Sequence, residues 1–278
     1  MSQYVGTSAA SAVGVYVDPS LGVPAFQNAQ GLVADADRVV AANNAIFGSQ
    51  SAPVSVIIFA LGGQTDGSGG ADHASCDFAS GGAIEVCASF GNPARISALF
   101  EAELSECSMG GNLCGENTGE ALSRWCAAAV SGNALADFAT APYWVQKGMP
   151  DFVNKTDHTD QNAISTGCGM AFLSWLQSLR FPLDKIAPAM VRLATGSTLA
   201  ELYAVLTSAP KARAWSQFLA AVKALPQVVN DDPFGSLPRN PGRKAAPIKS
   251  PRTRTQPALI PHLLQKNRLT ATAKRRRK

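Results

Sequence analysis

The stretch VSVIIFAL at residues 54–61 is apolar throughout and rich in β-branched side chains. A short run of this kind is typical of a strand that is buried on both faces at the centre of a sheet. Upstream, AVGVYVD at 12–18 predicts another strand, and the helical spacing of apolar residues in 29–48 predicts a helix that stops at Gly48. The chain is therefore expected to begin with a small β-sheet that carries one helix.

Downstream of this strand the pattern changes from strands to helices. Residues 71–78 and 83–90 predict a strand pair joined by a turn at 80–82. From Pro93 onward the apolar residues recur at helical spacing. The predicted helices span 93–109, 117–130, 162–180, 183–195, 198–207 and 215–225. Because the strands come first and the helices follow, the sequence predicts an α+β domain with a helix-rich C-terminal half.

Charge divides the chain into two segments. Residues 239–278 carry 13 Lys and Arg and no acidic residue, whereas the preceding residues hold 11 basic and 20 acidic residues, a net charge of −9. The basic segment is rich in proline and poor in large apolar residues, so it cannot bury enough surface to offset the entropy cost of ordering. The sequence predicts an acidic globular domain at 1–228 and a disordered basic tail at 229–278.

The charge of the tail predicts the class of its partners. Thirteen positive charges without counter-charges attract nucleic acid, an anionic membrane or an acidic protein, with an affinity that falls steeply as salt rises. No base-reading motif is present, so no sequence preference is expected. Contact of the tail with its own acidic domain is the alternative. The candidate polyanion-binding residues are Arg243, Lys244, Lys249, Arg252, Arg254, Lys274, Arg275, Arg276, Arg277 and Lys278.

The N-terminal 20 residues contain neither a basic region nor an apolar run of 7 or more residues, so no signal peptide is predicted. No stretch approaches the roughly 20 apolar residues that span a bilayer. A cytoplasmic location is therefore expected, with buried thiols rather than disulfides. The cysteines in question are Cys76, Cys87, Cys107, Cys114, Cys126 and Cys168. No CxxC pair exists, which argues against a finger-type zinc site.

Several segments of the chain carry a family resemblance. They are ISALFEAELSEC at 96–107, CGENTGEALSRWCA at 114–127, FVNKTDHTDQNAISTGCG at 152–169 with the helices that follow it, and GSTLAELYAVLTS at 196–208. Over about residues 10–225 the chain resembles a family of uncharacterised bacterial proteins. In that family a TDxTDxNxxSTGC stretch precedes a helix-rich C-terminal half. The resemblance implies the fold and no particular activity.

More distantly, the layout is similar to that of gluzincin zinc peptidases, including the plant basic secretory proteins. Those enzymes place a strand pair before a helix with an HExxH motif, and a second helix supplies a Glu ligand. The matching pentapeptide here is AELSE at 102–106, in which both histidine positions are changed. The resemblance implies Glu103 at the general-base position, Glu106 at the second ligand position and Glu120 at the distal Glu.

Ala102 has no donor atom, so these residues do not form an ordinary zinc peptidase site. The carboxylates of Glu103, Glu106 and Glu120, with His73 as a further ligand, suit magnesium, manganese or calcium better than zinc. One interpretation is a metal-dependent hydrolase with Glu103 as the base. Another is a non-catalytic ion or ligand pocket, and the simplest is a partly solvated helix face with Glu120 favoured by the helix dipole.

Taken together, the gluzincin resemblance and the changed ligand positions imply a metallopeptidase-like pseudoenzyme that lacks a functional zinc site and acts as a binding or structural module. No cofactor is expected, the alternative being a divalent metal ion. An unusual hydrolase and a nucleic-acid-associated protein remain the alternative functions. The sequence gives no indication of the oligomeric state.

Three other groups of residues carry separate predictions. Asp157, Asp160 and Asn162 fail the EF-hand pattern, so turn and helix-capping roles are expected, with His158 exposed to solvent. A nucleophilic cysteine paired with His73, such as Cys76 or Cys168, stays an open alternative. The four tryptophans are predicted to belong to the core; they are Trp125, Trp144, Trp175 and Trp215.

Overall fold

A computed structural model of the protein describes residues 1–59, 70–74, 83–87 and 92–237. Within these ranges the chain forms one five-stranded sheet and eight α-helices, so the predicted α+β class is confirmed. The strands are Gln3–Thr7 (β1), Gly14–Val17 (β2), Ser55–Phe59 (β3), Ala71–His73 (β4) and Ala83–Cys87 (β5). The helices are Gly22–Phe47 (α1), Pro93–Ser108 (α2), Asn117–Val130 (α3), Ala141–Gln146 (α4), Ala163–Ser178 (α5), Leu183–Leu193 (α6), Leu199–Thr207 (α7) and Ala214–Lys223 (α8).

The sheet has the strand order β1-β2-β3-β5-β4. Its three inner strands are parallel to one another, and each edge strand pairs antiparallel with its neighbour. The predicted central strand is confirmed as β3, in which Val56 and Ile58 are fully buried. The predicted pairing of 71–78 with 83–90 is confirmed for β4 and β5, where His73 lies opposite Ile84. The turn expected at 80–82 lies outside the described residues.

Local capping signals explain where several helices begin and end. α1 ends at Gly48, whose φ of 66° suits glycine and whose N–H donates to the Asn44 carbonyl. α2 begins after Asn92, whose side chain accepts a hydrogen bond from the third residue of the helix. The side chain of Asn162 accepts from the Ile164 N–H at the start of α5, so its predicted capping role is confirmed.

Two apolar clusters make up the core of the described residues. The first lies where the sheet packs on α1 and α2, and it includes Val15, Ile58, Ile84, Leu32 and Phe100. The second lies among the C-terminal helices and is aromatic, with the ring of Phe218 in contact with those of Trp144, Phe172 and Trp175. α3 belongs to both clusters, so it joins the sheet half to the helical half.

α5 approaches its neighbours closely at two glycines. A Cβ atom on Gly167 would lie 2.3 Å from the Thr140 carbonyl oxygen, and one on Gly169 would lie 2.6 Å from the Cβ of Ala121 on α3. Neither a backbone carbonyl nor the Cβ of an alanine can move away from such a clash as the far end of a flexible side chain can. The glycines therefore allow the second cluster to pack around α5 despite their low helix propensity.

The packed structure continues past α8 into a strap, which we define as residues 229–237 and which lies beyond the domain boundary expected at residue 228. Asp231 is buried and caps α4 by accepting hydrogen bonds from the N–H groups of Thr140 and Ala141 at 2.7 and 2.6 Å. Asp232 accepts a 2.6 Å hydrogen bond from Ser174 on α5. The strap thus ties the end of the helical half to its core. The basic segment that follows lies outside the described residues.

The cysteines divide into two groups. Cys126 and Cys168 are free and buried, as expected, and Cys107 is buried as well. The expectation is wrong for Cys114, which is disulfide-bonded. Disulfides persist mainly in oxidising compartments, so this bond gives no support to the predicted cytoplasmic location. Among the residues that the structure describes, no helix combines the length and apolar composition needed to cross a bilayer.

Candidate metal centre

Three predicted site residues come together between β4 and α2. Glu103 and Glu106 are three positions apart on α2, so both project from the same side of the helix. His73 is the last residue of β4, which packs against α2. Its Nε2 atom is hydrogen-bonded to Glu106 Oε2 at 2.6 Å and lies 3.8 Å from Glu103 Oε2. One imidazole and two carboxylates therefore converge.

The group is enclosed by the protein. The exposed fractions of the side chains are 7% for His73, 9% for Glu103 and 14% for Glu106. The three ligand atoms that these residues offer all lie within 4.8 Å of one another, a spacing at which they could hold one metal ion. The interpretation of Glu103 and Glu106 as a partly solvated helix face does not agree with this burial.

A serine on α3 contacts the group from the opposite side. The hydroxyl of Ser123 lies 3.1 Å from Glu106 Oε1, the carboxylate oxygen that does not face His73. The same hydroxyl lies 3.0 Å from the backbone carbonyl of Glu120, one turn earlier on α3. Ser123 is almost completely buried. Its side chain connects α3 to a site whose other residues belong to β4 and α2.

Glu120, the predicted distal ligand, is not part of the group found among the described residues. It lies in the first turn of α3, where an acid is favoured by the helix dipole. Its carboxylate is 3.9 Å from the guanidinium of Arg124 on the same helix. Arg124 also approaches Asp231 of the strap at 3.5 Å and donates to the Phe138 carbonyl. Glu120 is thus part of an ion-pair arrangement that joins α3 to the strap.

α2 buries one more carboxylate, which the sequence does not single out. Glu101 is fully buried, and within the described residues neither of its oxygens has a hydrogen-bond partner. Burial raises the pKa of Glu101 well above its ordinary value of 4.5, against the opposing charge of Arg38 on α1. Burial therefore favours the protonated form of this side chain. Helical spacing alone does not distinguish it from the other acids of α2.

The loop before α5 contains a second histidine–carboxylate pair. His158 is exposed, as predicted, and its Nδ1 atom is 2.7 Å from an oxygen of Glu116, whose side chain is 5% exposed. This hydrogen bond and the charge of Glu116 raise the pKa of His158 above 6.5. The two residues are 42 positions apart, so no local signal predicts the pair. Asp157, next to His158, accepts hydrogen bonds from Asn162 and Ser165.

The structure describes some of the remaining predicted residues, namely Cys168 and the four tryptophans, and leaves others outside its described ranges. Burial raises the pKa of the Cys168 thiol far above its ordinary value, so this cysteine is neutral and poorly nucleophilic at physiological pH. Cys76 lies outside the described residues, and so does every candidate polyanion-binding residue of the tail. Trp125, Trp144 and Trp175 are buried in the aromatic cluster, and Trp215 packs against it, which confirms the predicted core role.

Comparisons with protein-family profiles, with curated proteins and with solved structures found no match to this chain. The support for the candidate centre is its own geometry. Its distinguishing property is a buried, convergent set of one nitrogen and two carboxylate ligands.

Proposed function

We propose that the domain binds one divalent metal ion through His73, Glu103 and Glu106. The observation that carries this proposal is the convergence of three buried ligand atoms within 4.8 Å, contributed by a strand and a helix. An ion of charge +2 matches the charge of two carboxylates, and it would cross-link β4 to α2. The ion-binding pocket is thus favoured over a solvated helix face.

The donor set favours a particular class of ion. Imidazole nitrogen suits zinc, iron, nickel and copper, whereas carboxylate oxygen suits manganese, magnesium and calcium. A mixed set with His73 in place of Glu120 therefore favours a first-row transition ion such as Mn²⁺, Fe²⁺ or Zn²⁺ over Mg²⁺ and Ca²⁺. A site made of carboxylates alone would instead favour Mg²⁺, Mn²⁺ or Ca²⁺.

We further propose that the domain is a divergent, metallopeptidase-like module in which the ion has a binding or structural role. AELSE at 102–106 stands on α2 in the order strand pair, helix, second helix that gluzincins share, and Ala102 offers no ligand atom. The alternative is a metal-dependent hydrolase in which Glu103 acts as general base. Glu103→Gln distinguishes the two, because a hydrolase would lose turnover in a peptidase screen while keeping its ion.

The decisive experiment is elemental analysis of the full-length protein purified without chelator. We expect about one transition ion per chain, lost in His73→Ala and in Glu106→Gln. His158→Ala and Asp184→Asn are matched controls, since both change exposed residues far from the candidate ligands in sequence, and both should keep the ion. A folded wild-type protein that neither contains nor takes up an ion would refute the proposal.

Glu120→Ala tests which ligand set is correct. The geometry places Glu120 beside Arg124 and outside the converging group, so this variant should retain the ion. Loss of the ion in Glu120→Ala, with the fold intact by circular dichroism, would favour the set implied by the gluzincin resemblance.

The charge of the tail supports a second, independent function. We propose that residues 239–278 bind nucleic acid or an acidic protein through their 13 basic residues. Binding of a fluorescent oligonucleotide should weaken with a log–log salt slope of about −0.7 to −0.9 per phosphate contact. Deletion of 239–278 should abolish it, with circular dichroism confirming that the truncated chain folds. Undiminished binding by the truncated chain would contradict this assignment.

A further inference from the structure

We infer that Ser123 is a positioning residue of the metal centre, whose hydroxyl fixes Glu106 in the orientation that presents one oxygen to the ion. This inference rests on the proposed metal-binding function and adds a residue from α3, an element that supplies none of the three ligands. Neither the sequence pattern nor the gluzincin resemblance points to Ser123.

The two oxygens of Glu106 have different partners. Oε1 lies 3.1 Å from the Ser123 hydroxyl, and Oε2 lies 2.6 Å from Nε2 of His73. A carboxylate held at one oxygen can rotate little about its terminal torsion. Oε2 is therefore kept on the side of His73 and Glu103, where it would bind the ion through a single oxygen.

Ser123 has one proton and two acceptors within reach. The Glu106 carboxylate and the Glu120 carbonyl are 3.1 and 3.0 Å from its oxygen. A charged acceptor forms the stronger hydrogen bond, so the proton is directed to Glu106. Because Ser123 is 1% exposed, bulk water does not compete for it.

Outer hydrogen bonds to metal ligands have measurable consequences. Removing such a partner typically weakens metal binding by about 10- to 100-fold, because the ligand must then be ordered by the ion itself. Ser123→Ala removes one hydroxyl and leaves all three ligands in place. The expected result is a weaker site rather than an absent one.

The chain offers a matched control for this substitution. Ser105 is also fully buried, and it stands on α2 between Glu103 and Glu106 in sequence. Its hydroxyl donates to the Ala102 carbonyl at 2.7 Å and not to a candidate ligand. Ser105→Ala therefore removes a buried hydroxyl from α2, the helix that packs against α3, and leaves the hydrogen bond between Ser123 and Glu106 intact.

The test is a titration of full-length wild type, Ser123→Ala and Ser105→Ala with Co²⁺, followed by calorimetry and by the visible absorption of the bound ion. Ser123→Ala should bind about 10- to 100-fold more weakly with an altered absorption spectrum. Ser105→Ala should match wild type in both its Co²⁺ affinity and its absorption spectrum. Ser123→Thr, which keeps the hydroxyl, should recover most of the affinity.

The outcomes separate the inference from the function on which it rests. Absence of Co²⁺ binding in the wild type would refute the metal centre itself. Binding by the wild type that is equally strong in Ser123→Ala would overturn the role of Ser123 alone. Thermal unfolding of the ion-free proteins provides a structural check, because a weaker Kd with unchanged ion-free stability is not explained by loss of packing.

Discussion

α2 buries carboxylates on two sides, and the two sides differ in what surrounds them. Toward β4, Glu103 and Glu106 converge with His73. Glu101 lies instead near Arg38 of α1 and Cys126 of α3, and within the described residues neither of its oxygens has a hydrogen-bond partner. Burial alone therefore does not make an acid a ligand. Convergence with an imidazole and a second acid favours a cation, whereas isolation favours a proton.

Helix geometry produces this separation. Successive residues of an α-helix are rotated by about 100°, so residues three positions apart share a face and residues two apart do not. Glu103 and Glu106 therefore meet the same neighbours, while Glu101 meets α1 and α3. The same substitution at Glu106 and at Glu101 should accordingly have opposite effects.

The largest expected effect is that of Glu106→Met on the ion-loaded protein. The variant removes a ligand, so the stabilisation by bound ion, about 2.7 kcal/mol at an ion concentration 100 times the Kd, should disappear. Thermal unfolding with and without Mn²⁺ measures this difference. Stabilisation of the variant by Mn²⁺ to the wild-type extent would show that Glu106 is not a ligand.

Glu101→Met should stabilise the protein at neutral pH by about 1–3 kcal/mol, because it replaces a buried polar group without hydrogen-bond partners by an apolar side chain of similar length. Urea unfolding of wild type and variant at pH 7 measures the change. A clear loss of stability would mean that Glu101 has a favourable interaction that its surroundings do not reveal.

The pH dependence of stability is a second test of the surroundings of Glu101. Its pKa is raised in the folded state, so the folded protein holds a proton that the unfolded chain releases above about pH 4.5. This contribution to stability is complete below pH 4.5 and is lost progressively as pH rises toward the folded pKa. In urea unfolding from pH 4 to 8, the free energy of unfolding should therefore decline less with rising pH in Glu101→Met than in wild type. Equal declines would contradict a raised pKa of Glu101 in the folded state.

The smallest expected effect concerns His158, whose partner is buried but whose own ring is exposed. Its pKa is raised by Glu116, so the pair contributes stability below pH 6.5 that is lost as pH rises through the folded pKa. Glu116→Gln should lower the pKa of His158 toward 6.5 in an NMR titration of its ring protons. Asp184→Asn is the control and should leave that pKa unchanged, whereas an unchanged pKa in Glu116→Gln would exclude the pair.

Much of the fold follows from local patterns. The apolar run at 54–61 predicts β3, and the helical spacing after Pro93 predicts six of the helices to within about three residues at each end. β1 and the short helix α4 were not predicted, and α1 begins seven residues before the predicted start. These elements depend on the sheet and the aromatic cluster against which they pack, and a single segment does not encode such contacts.

The α+β order, the core tryptophans and the split between an acidic segment and a basic one follow from the sequence, because periodicity and composition are local properties. The gluzincin resemblance, and not periodicity, singled out the pair Glu103 and Glu106. The tertiary structure alone shows that His73 joins this pair while Glu120 lies beside Arg124, and that Ser123 contacts Glu106. It also shows that, within the described part of the chain, the Glu101 oxygens lack a hydrogen-bond partner. Those outcomes depend on how β4, α2 and α3 pack together. The distances between residues on different elements are set by that packing, and spacing along the chain does not contain them.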